Sequence, residues 1–243
     1  MEKLKQSLSG EDRNMEKMAE LTDEGLKLLK EALRNKEISE QALNEWSKMM
    51  KMMKDISSSD MPNVIQSLQK ARESKTDPRK HPSDAIRQQK KILEKMKKMN
   101  DRMDKSLKKM AMENFANRLR EAASDQNNVS VNLKKIAPSV LGLRADQLKE
   151  PVRKDIGSVS DKEGRIFKSV KYIKEDLYGF FTRTKMTIYD TIYQEMDDKG
   201  VLDGLKGLIR DIDDVKLVTS ISGSKKWADQ FIAWAEMLEK AGD

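Results

Sequence analysis

Hydrophobic residues recur at steps of three and four along most of this chain, which is the spacing of one face of an α-helix. Alternation with a period of two, the pattern of a half-buried strand, is almost absent. Two clear helical stripes are Leu43, Trp46, Met50 and Met53, and Trp227, Phe231, Trp234 and Leu238. Glycine and proline number only 11 and 5 in 243 residues. The sequence therefore predicts an all-α fold.

A chain of short helices is predicted for the N-terminal region, residues 1–74. Thr22 or Asp23 is expected to cap the second of these helices, because hydroxyl and carboxylate oxygens accept hydrogen bonds from the free N–H groups of a first turn. The Ser57–Asp60 cluster is expected to end the third helix. Two prolines follow within residues 75–83, and since proline disfavours helix just before it, this segment is predicted to be a linker.

A long basic central helix is predicted for residues 84–137, because no helix breaker occurs from Ser83 to Ala123. Its first apolar positions lie on one face: Ile92, Met96, Met99, Met103, Leu107 and Met110. Beyond Met110 the apolar positions Met112, Phe115 and Leu119 lie about 160° further round the helix. We therefore expect the first half to pack against the N-terminal helices and the second half against the C-terminal region.

The C-terminal region, residues 138–243, is predicted to be an aromatic-rich helical bundle, because ten of the twelve aromatic residues follow residue 160. Pro138 is expected to end the preceding helix, and Ser222 or Ser224 to cap the last one. The stripe Trp227–Leu238 is compatible with either an intramolecular bundle or a seam for homo-oligomers. Together these patterns predict an elongated helical bundle built around a long central helix, with coiled-coil-like seams.

The net charge of +7 comes from one segment, residues 75–122, which carries 15 basic and 7 acidic residues. Seven cations of the central helix form a stripe without an acid: Arg87, Lys91, Lys95, Lys98, Arg102, Lys105 and Lys109. A solvated helix face is the favoured interpretation. If the stripe has a function, its partner is expected to be an anionic membrane surface, an acidic protein or nucleic acid. Nucleic acid is disfavoured, because no aromatic residue interleaves the cations for base stacking.

Methionine is abundant, and ten of the sixteen lie between residues 49 and 112. Because thioether side chains repack at little cost, these methionines are candidates for an adaptable groove that binds apolar helices. The candidate groove residues are Met49, Met53, Met96, Met99 and Met103. A helix–helix core that uses methionine in place of leucine is the favoured alternative.

Catalytic chemistry has little support in the composition. Cysteine is absent and His81 is the single histidine, which removes thiolate nucleophiles and zinc sites built on histidine or cysteine. No phosphate-binding loop or nucleophile elbow occurs. The acid cluster around Asp211, Asp213 and Asp214 lacks the spacing of a calcium-binding loop. We expect a protein that is not an enzyme and that uses no cofactor or metal.

Four segments resemble the helical C-terminal region of very large, uncharacterised, membrane-anchored coiled-coil proteins of bacteria: residues 113–123, 141–148, 179–184 and 226–238. The resemblance implies a helical scaffold that other segments tether to a membrane, and it assigns no ligand and no active site. No stretch of this chain has the 18 or so consecutive apolar residues of a membrane-spanning helix, which leaves the localisation open.

The function expected from the sequence is therefore that of a non-catalytic structural or adaptor module within a larger, membrane-associated bacterial assembly. Its partners are expected to be other proteins, contacted through helical surfaces. The alternative is a binding module that uses the methionine groove for apolar helices and the basic stripe for anionic partners.

Overall fold

The protein is all-α, as predicted. A computed structural model describes residues 2–34, 38, 40–73 and 80–242, and in that part of the chain no β-strand occurs. The helices are α1 (Glu2–Ala32), α2 (Glu40–Asp55), α3 (Met61–Glu73), α4 (Lys80–Val140), α5 (Glu150–Thr184), α6 (Thr187–Asp198), α7 (Val201–Asp213) and α8 (Leu217–Gly242). A π-helical turn (Ile56–Asp60) joins α2 to α3, and a 3-10 turn (Ala145–Gln147) precedes α5.

The chain divides into two compact units, an N-terminal unit of residues 1–110 and a C-terminal unit of residues 111–243. Helix α4 contributes residues to both. Ala85 and Ile92 belong to the hydrophobic core of the N-terminal unit, whereas Phe115 and Leu119 belong to that of the C-terminal unit. The unit boundary thus falls where the sequence predicts the apolar face of the central helix to change.

The core of the N-terminal unit consists of aliphatic and methionine side chains from α1, the π turn, α3 and α4. Ile56 and Val64 are completely buried in it. Helix α2 approaches α1 closely at Gly25, where a Cβ atom would overlap the Met50 thioether. The absence of a side chain at Gly25 therefore lets Met50 pack directly against α1.

The core of the C-terminal unit is larger and contains most of the aromatic residues. The Phe115 ring meets the Phe180 ring edge-on, with centroids 5.2 Å apart, and Phe231 lies 5.9 Å from Trp234. All four residues of the predicted stripe Trp227, Phe231, Trp234 and Leu238 are buried within this unit. That stripe is therefore an intramolecular seam, which removes it as a contact between copies of the chain.

Of the two breaks expected in the N-terminal unit, the one at Thr22 is wrong. Helix α1 continues through Thr22, whose hydroxyl donates to the Met18 carbonyl at 2.7 Å inside the helix instead of capping a new one. The Ser57–Asp60 cluster is expected to end a helix, and α2 does end at Asp55, although the cluster forms a π turn that continues into α3. The hydroxyl of Ser58 donates to the Lys54 carbonyl at 2.7 Å, so this turn satisfies a carbonyl of the preceding helix.

The predicted boundaries around the central helix need correction. Residues 80–83 of the expected linker 75–83 are helical, because Pro82 lies in the first turn of α4, where a missing N–H breaks no intrahelical bond. Residues 75–79 lie outside the described part of the chain. At the other end α4 continues past Pro138 to Val140. Helix α8 begins at Leu217, so neither Ser222 nor Ser224 caps it.

Candidate functional site

A groove lined by methionines lies between α2 and the first half of α4, within the N-terminal unit. It consists of two adjoining hollows of about 230 and 480 Å³. Met49, Met50 and Met103 line both of them, so the two form one continuous feature. We call it the methionine groove.

The structure brings together all five methionines that the sequence singles out. Met49, Met53, Met96, Met99 and Met103 line the larger hollow. The smaller hollow adds Trp46 and Met52 from α2, and Leu107 and Met110 from α4. Whether this groove binds an apolar helix stays a prediction, but its lining has the composition that such a site needs.

Helical spacing explains why these side chains face each other. Residues 46, 49, 50 and 53 of α2 and residues 96, 99, 103 and 110 of α4 recur at steps of three, four and seven, which places each set on one side of its helix. Met50 turns toward Gly25 of α1 and is buried. The other methionines of the groove are half-buried or exposed, and the Leu107 side chain is 55% exposed. The apolar face of α2 is thus shared between the core and the groove.

The edges of the groove carry charge. Lys48, Arg102 and Lys97 line it, together with Glu45 and Asp101. Glu45 accepts a hydrogen bond from Lys48 at 2.7 Å, and this bond and the lysine charge hold the pKa of that carboxyl below its ordinary value. The guanidinium of Arg102 lowers it further. Glu45 therefore stays ionised and neutralises part of the positive charge at the groove.

The basic stripe lies on the same stretch of α4 as the methionine groove. Its cations are exposed except Lys109, which is half-buried. Arg87 is paired with Asp84 at 2.8 Å, and Lys95 with Asp60 at 2.5 Å. Among the residues that the structure describes, no ion pair involves Lys91, Lys98, Arg102 or Lys105. Arg102 belongs to both the stripe and the groove, which the sequence treats as separate features.

The other candidate residues have ordinary structural roles or lie outside the description. Lys216 bonds both Asp214, at 2.9 Å, and Asp211, at 3.3 Å, so these acids neutralise a lysine. The side chain of His81, the single histidine, is outside the part of the chain that the structure describes. Across residues 2–34, 38, 40–73 and 80–242 no three acidic or histidine side chains converge as metal ligands, and no helix is long and apolar enough to span a membrane.

Sequence reasoning missed one buried polar pair in the C-terminal unit. Gln126 of α4 donates to Glu163 of α5 at 2.6 Å, and both side chains are completely buried. Burial raises the pKa of Glu163 to about 7, although the hydrogen bond from Gln126 opposes the rise. The sequence does carry a signal for Glu163, because this residue continues the apolar stripe of α5 at helical steps from Val159 and to Ile166, and a position on that stripe is expected to be buried.

The side chains of the methionine groove suit non-covalent binding better than covalent chemistry. Thioethers, an indole and aliphatic carbons offer apolar contact, and the cations beside them offer charge complementarity. Comparison of the chain with protein-family models, with curated protein sequences and with solved structures finds no significant match.

Proposed function

We propose that this protein is a non-catalytic helical adaptor whose N-terminal unit binds another protein through the methionine groove. The observation that carries the proposal is the groove itself. Five methionines from two helices line one hollow, and no neighbouring side chain fills that hollow. A soluble domain gains stability by burying such side chains, so an apolar groove left open is typical of an interaction surface.

The C-terminal unit supplies the structural part of the proposal. Its core of closely packed aromatic rings and its ion pairs between helices suit a rigid element that positions a binding unit. Arg120 of α4 bonds both carboxylate oxygens of Glu239 on α8, at 2.6 and 3.0 Å, and Arg118 pairs with Asp176 of α5 at 2.8 Å. Bidentate arginine–carboxylate pairs fix geometry more strongly than single contacts do.

The same proposal includes the assembly in which the chain acts as an adaptor. The resemblance of the segments between residues 113 and 238 to membrane-anchored bacterial coiled-coil proteins supports a role as the scaffold of a larger, membrane-associated assembly. The absence of cysteine and the single histidine support a non-catalytic role. Neither argument identifies the partner.

Binding to an anionic surface through the basic stripe is the second candidate function. Lys91, Lys98, Arg102 and Lys105 carry charges that no ion pair among the described residues neutralises. Binding to vesicles of anionic lipid that disappears in about 0.5 M salt would support this function, because screening removes purely electrostatic contacts. Absence of binding at low salt would eliminate it.

Photo-crosslinking tests the adaptor function directly. A photoreactive amino acid is placed at Leu107, at the edge of the groove, and in a matched control at Leu28 of α1. The two leucines are equally exposed, at 55% each, and Leu28 lies outside both hollows of the groove. In cells that produce the chain naturally, we expect position 107 to form a crosslink to one protein that position 28 does not form.

A second substitution makes the result specific. Met103→Glu places a charge in both hollows at a position that is already 36% exposed, so the helix is expected to tolerate it. The crosslink from position 107 should disappear in this variant while the far-ultraviolet circular dichroism stays unchanged. The same crosslinked proteins at positions 28 and 107, or none at either, would contradict the proposed function.

A further inference from the structure

We infer that the occupant of the methionine groove is an amphipathic helix of a partner protein, with acidic residues beside its apolar face. This inference rests on the proposed adaptor function and specifies the partner's chemistry. Three properties of the groove carry it, namely its length, its lining and the charge of its α4 wall.

The length of the groove fits a helix. Its lining on α4 extends from Met96 to Met110, which corresponds to about 21 Å along the helix axis. A partner helix of about 14 residues has the same length and presents an apolar side chain about once per turn. Two adjoining hollows along the same stretch of α4 offer successive sites for such side chains, whereas a compact small molecule would occupy one of them.

The lining favours aliphatic side chains. Thioethers are flexible and polarisable, so they adapt to leucine, isoleucine or phenylalanine without a fixed shape. Met103, 36% exposed, lines both hollows, and Leu107, 55% exposed, lines the smaller one. Burying these side chains under a partner helix removes apolar surface from water, which is the favourable term in helix-in-groove recognition.

The charge of the α4 wall favours acidic residues on the partner. Between residues 84 and 110 this helix carries ten basic and four acidic residues, whereas α2 carries three of each. Among the charged residues of α4 that line the groove, Arg102 lines the smaller hollow, and Lys97 lines the larger one together with Asp101. Acidic residues flanking the apolar face of a bound helix would meet these cations. A planar lipid surface would meet the stripe but leave the concave groove unfilled.

A pair of designed peptides tests the inference on the intact chain. Both have about 16 residues with leucine at helical spacing; one carries glutamate on its polar face and the other carries lysine at the same positions. Fluorescence anisotropy measures their dissociation constants. We expect the leucine/glutamate peptide to bind about tenfold or more tightly than the leucine/lysine peptide at about 0.05 M salt, and the difference to shrink at about 0.5 M.

Methyl NMR locates the binding site. With ¹³C-labelled methionine methyl groups, the leucine/glutamate peptide should shift the signals of Met49, Met99 and Met103. The signals of Met196 and Met237 in the C-terminal unit serve as internal controls and should not move. Shifts confined to the control methionines would contradict the inference, because the peptide would then bind elsewhere.

Two matched pairs of variants separate the apolar and the electrostatic contributions. Leu107→Gln, which adds no charge, should weaken binding of the leucine/glutamate peptide about tenfold or more, whereas Leu28→Gln, at an equally exposed leucine outside the groove, should not. Arg102→Glu should reduce the preference for the acidic peptide, whereas Lys91→Glu, about 16 Å away along α4, should leave it unchanged.

Failure of the inference and failure of the proposed function give different results. If the crosslink at position 107 forms but neither peptide binds, or the lysine peptide binds as tightly, the adaptor function stands and the acidic-helix inference is wrong. If the groove methyl signals shift with protein concentration alone, a second copy of the chain occupies the groove. If they shift with vesicles of anionic lipid and not with the peptide, a membrane occupies it. Either of these two results overturns the inference.

Discussion

The buried pair Gln126–Glu163 shows how burial changes the chemical properties of a single residue. The amide nitrogen of Gln126 donates to one carboxyl oxygen of Glu163 at 2.6 Å. The other Glu163 oxygen and the Gln126 carbonyl oxygen have no hydrogen-bond partner among the described residues. A proton on Glu163 supplies the donor that this pair lacks, and burial favours the uncharged form. Glu163 is therefore expected to be protonated over much of the acidic range.

A protonated, buried Glu163 predicts that the free energy of unfolding falls as the pH rises through neutrality. The pKa of Glu163 is about 7 in the folded chain against an ordinary value of 4.5, so the folded state binds this proton more tightly than the unfolded state. The resulting stabilisation is complete below about pH 4.5 and is lost as the pH rises through about 7, by about 3 kcal/mol in total. Urea unfolding of the wild type and of Glu163→Gln between pH 5 and pH 8 measures the difference.

Glu163→Gln should remove this contribution to the pH dependence of stability, because glutamine carries no titratable proton. The amide of the new glutamine can donate a hydrogen bond to the Gln126 carbonyl. Glu175→Gln on the same helix, whose side chain is largely exposed, is the matched control and should leave the wild-type pH dependence in place. Parallel stability curves for the wild type and Glu163→Gln would contradict a neutral, buried Glu163.

At the scale of elements, the packing of α7 on α8 depends on a close approach at Gly204. A Cβ atom at this position would overlap the six-membered ring of Trp227, which is buried and cannot move aside as a flexible side chain would. Gly207, three residues further along α7, has nothing near the position of its missing Cβ. The two glycines therefore differ in packing, although they share a helix.

Opposite effects of alanine are predicted at these two glycines. Gly204→Ala should destabilise the protein by about 1–3 kcal/mol, because the Trp227 ring must shift within a packed core. Gly207→Ala should stabilise it by about 0.5–1 kcal/mol through helix propensity alone. Thermal unfolding followed by near-ultraviolet circular dichroism tests both, and a loss of stability of similar size in the two variants would contradict the proposed contact.

Elements with a strong apolar period could be predicted from the sequence, whereas their ends could not. The stripe of α8 is buried, as the pattern predicts. The stripes of α2 and of the first half of α4 each share one helix face, but that face is only partly buried and leaves Met103 and Leu107 exposed. Thr22 is predicted to cap a helix, yet it lies inside α1, where its hydroxyl bonds the carbonyl of the turn before it. Which role such a residue takes depends on packing by distant segments, and that information is not local.

At the scale of the whole molecule, the chain forms two units whose cores differ in kind. The N-terminal core is aliphatic and rich in methionine, and a groove adjoins it. The C-terminal core is built around fully buried large side chains such as Trp234, Phe231 and Tyr189. The Trp234 indole nitrogen donates to Glu195 at 2.9 Å, so even its polar atom is satisfied. This contrast supports the assignment of binding to the first unit and of a structural role to the second.

The methionine positions of the groove could be predicted from the sequence because they share the period of their helices. The sequence does not show that the space between these methionines is open. This space depends on the distance between α2 and α4, and on the Met50 side chain packing against Gly25 of α1. The elongated shape and the coiled-coil character of the seams stay predictions.

Methionine oxidation in the intact chain tests the open groove most directly. A brief exposure to hydrogen peroxide, read by mass spectrometry, reports how accessible each thioether is. We predict that Met103, Met49 and Met99 are oxidised about tenfold or more faster than Met112 and Met196, which are buried in the C-terminal core. The leucine/glutamate peptide should slow the reaction of the groove methionines alone. Groove methionines as unreactive as Met196 would show that the groove is closed, and would contradict its role as a binding surface.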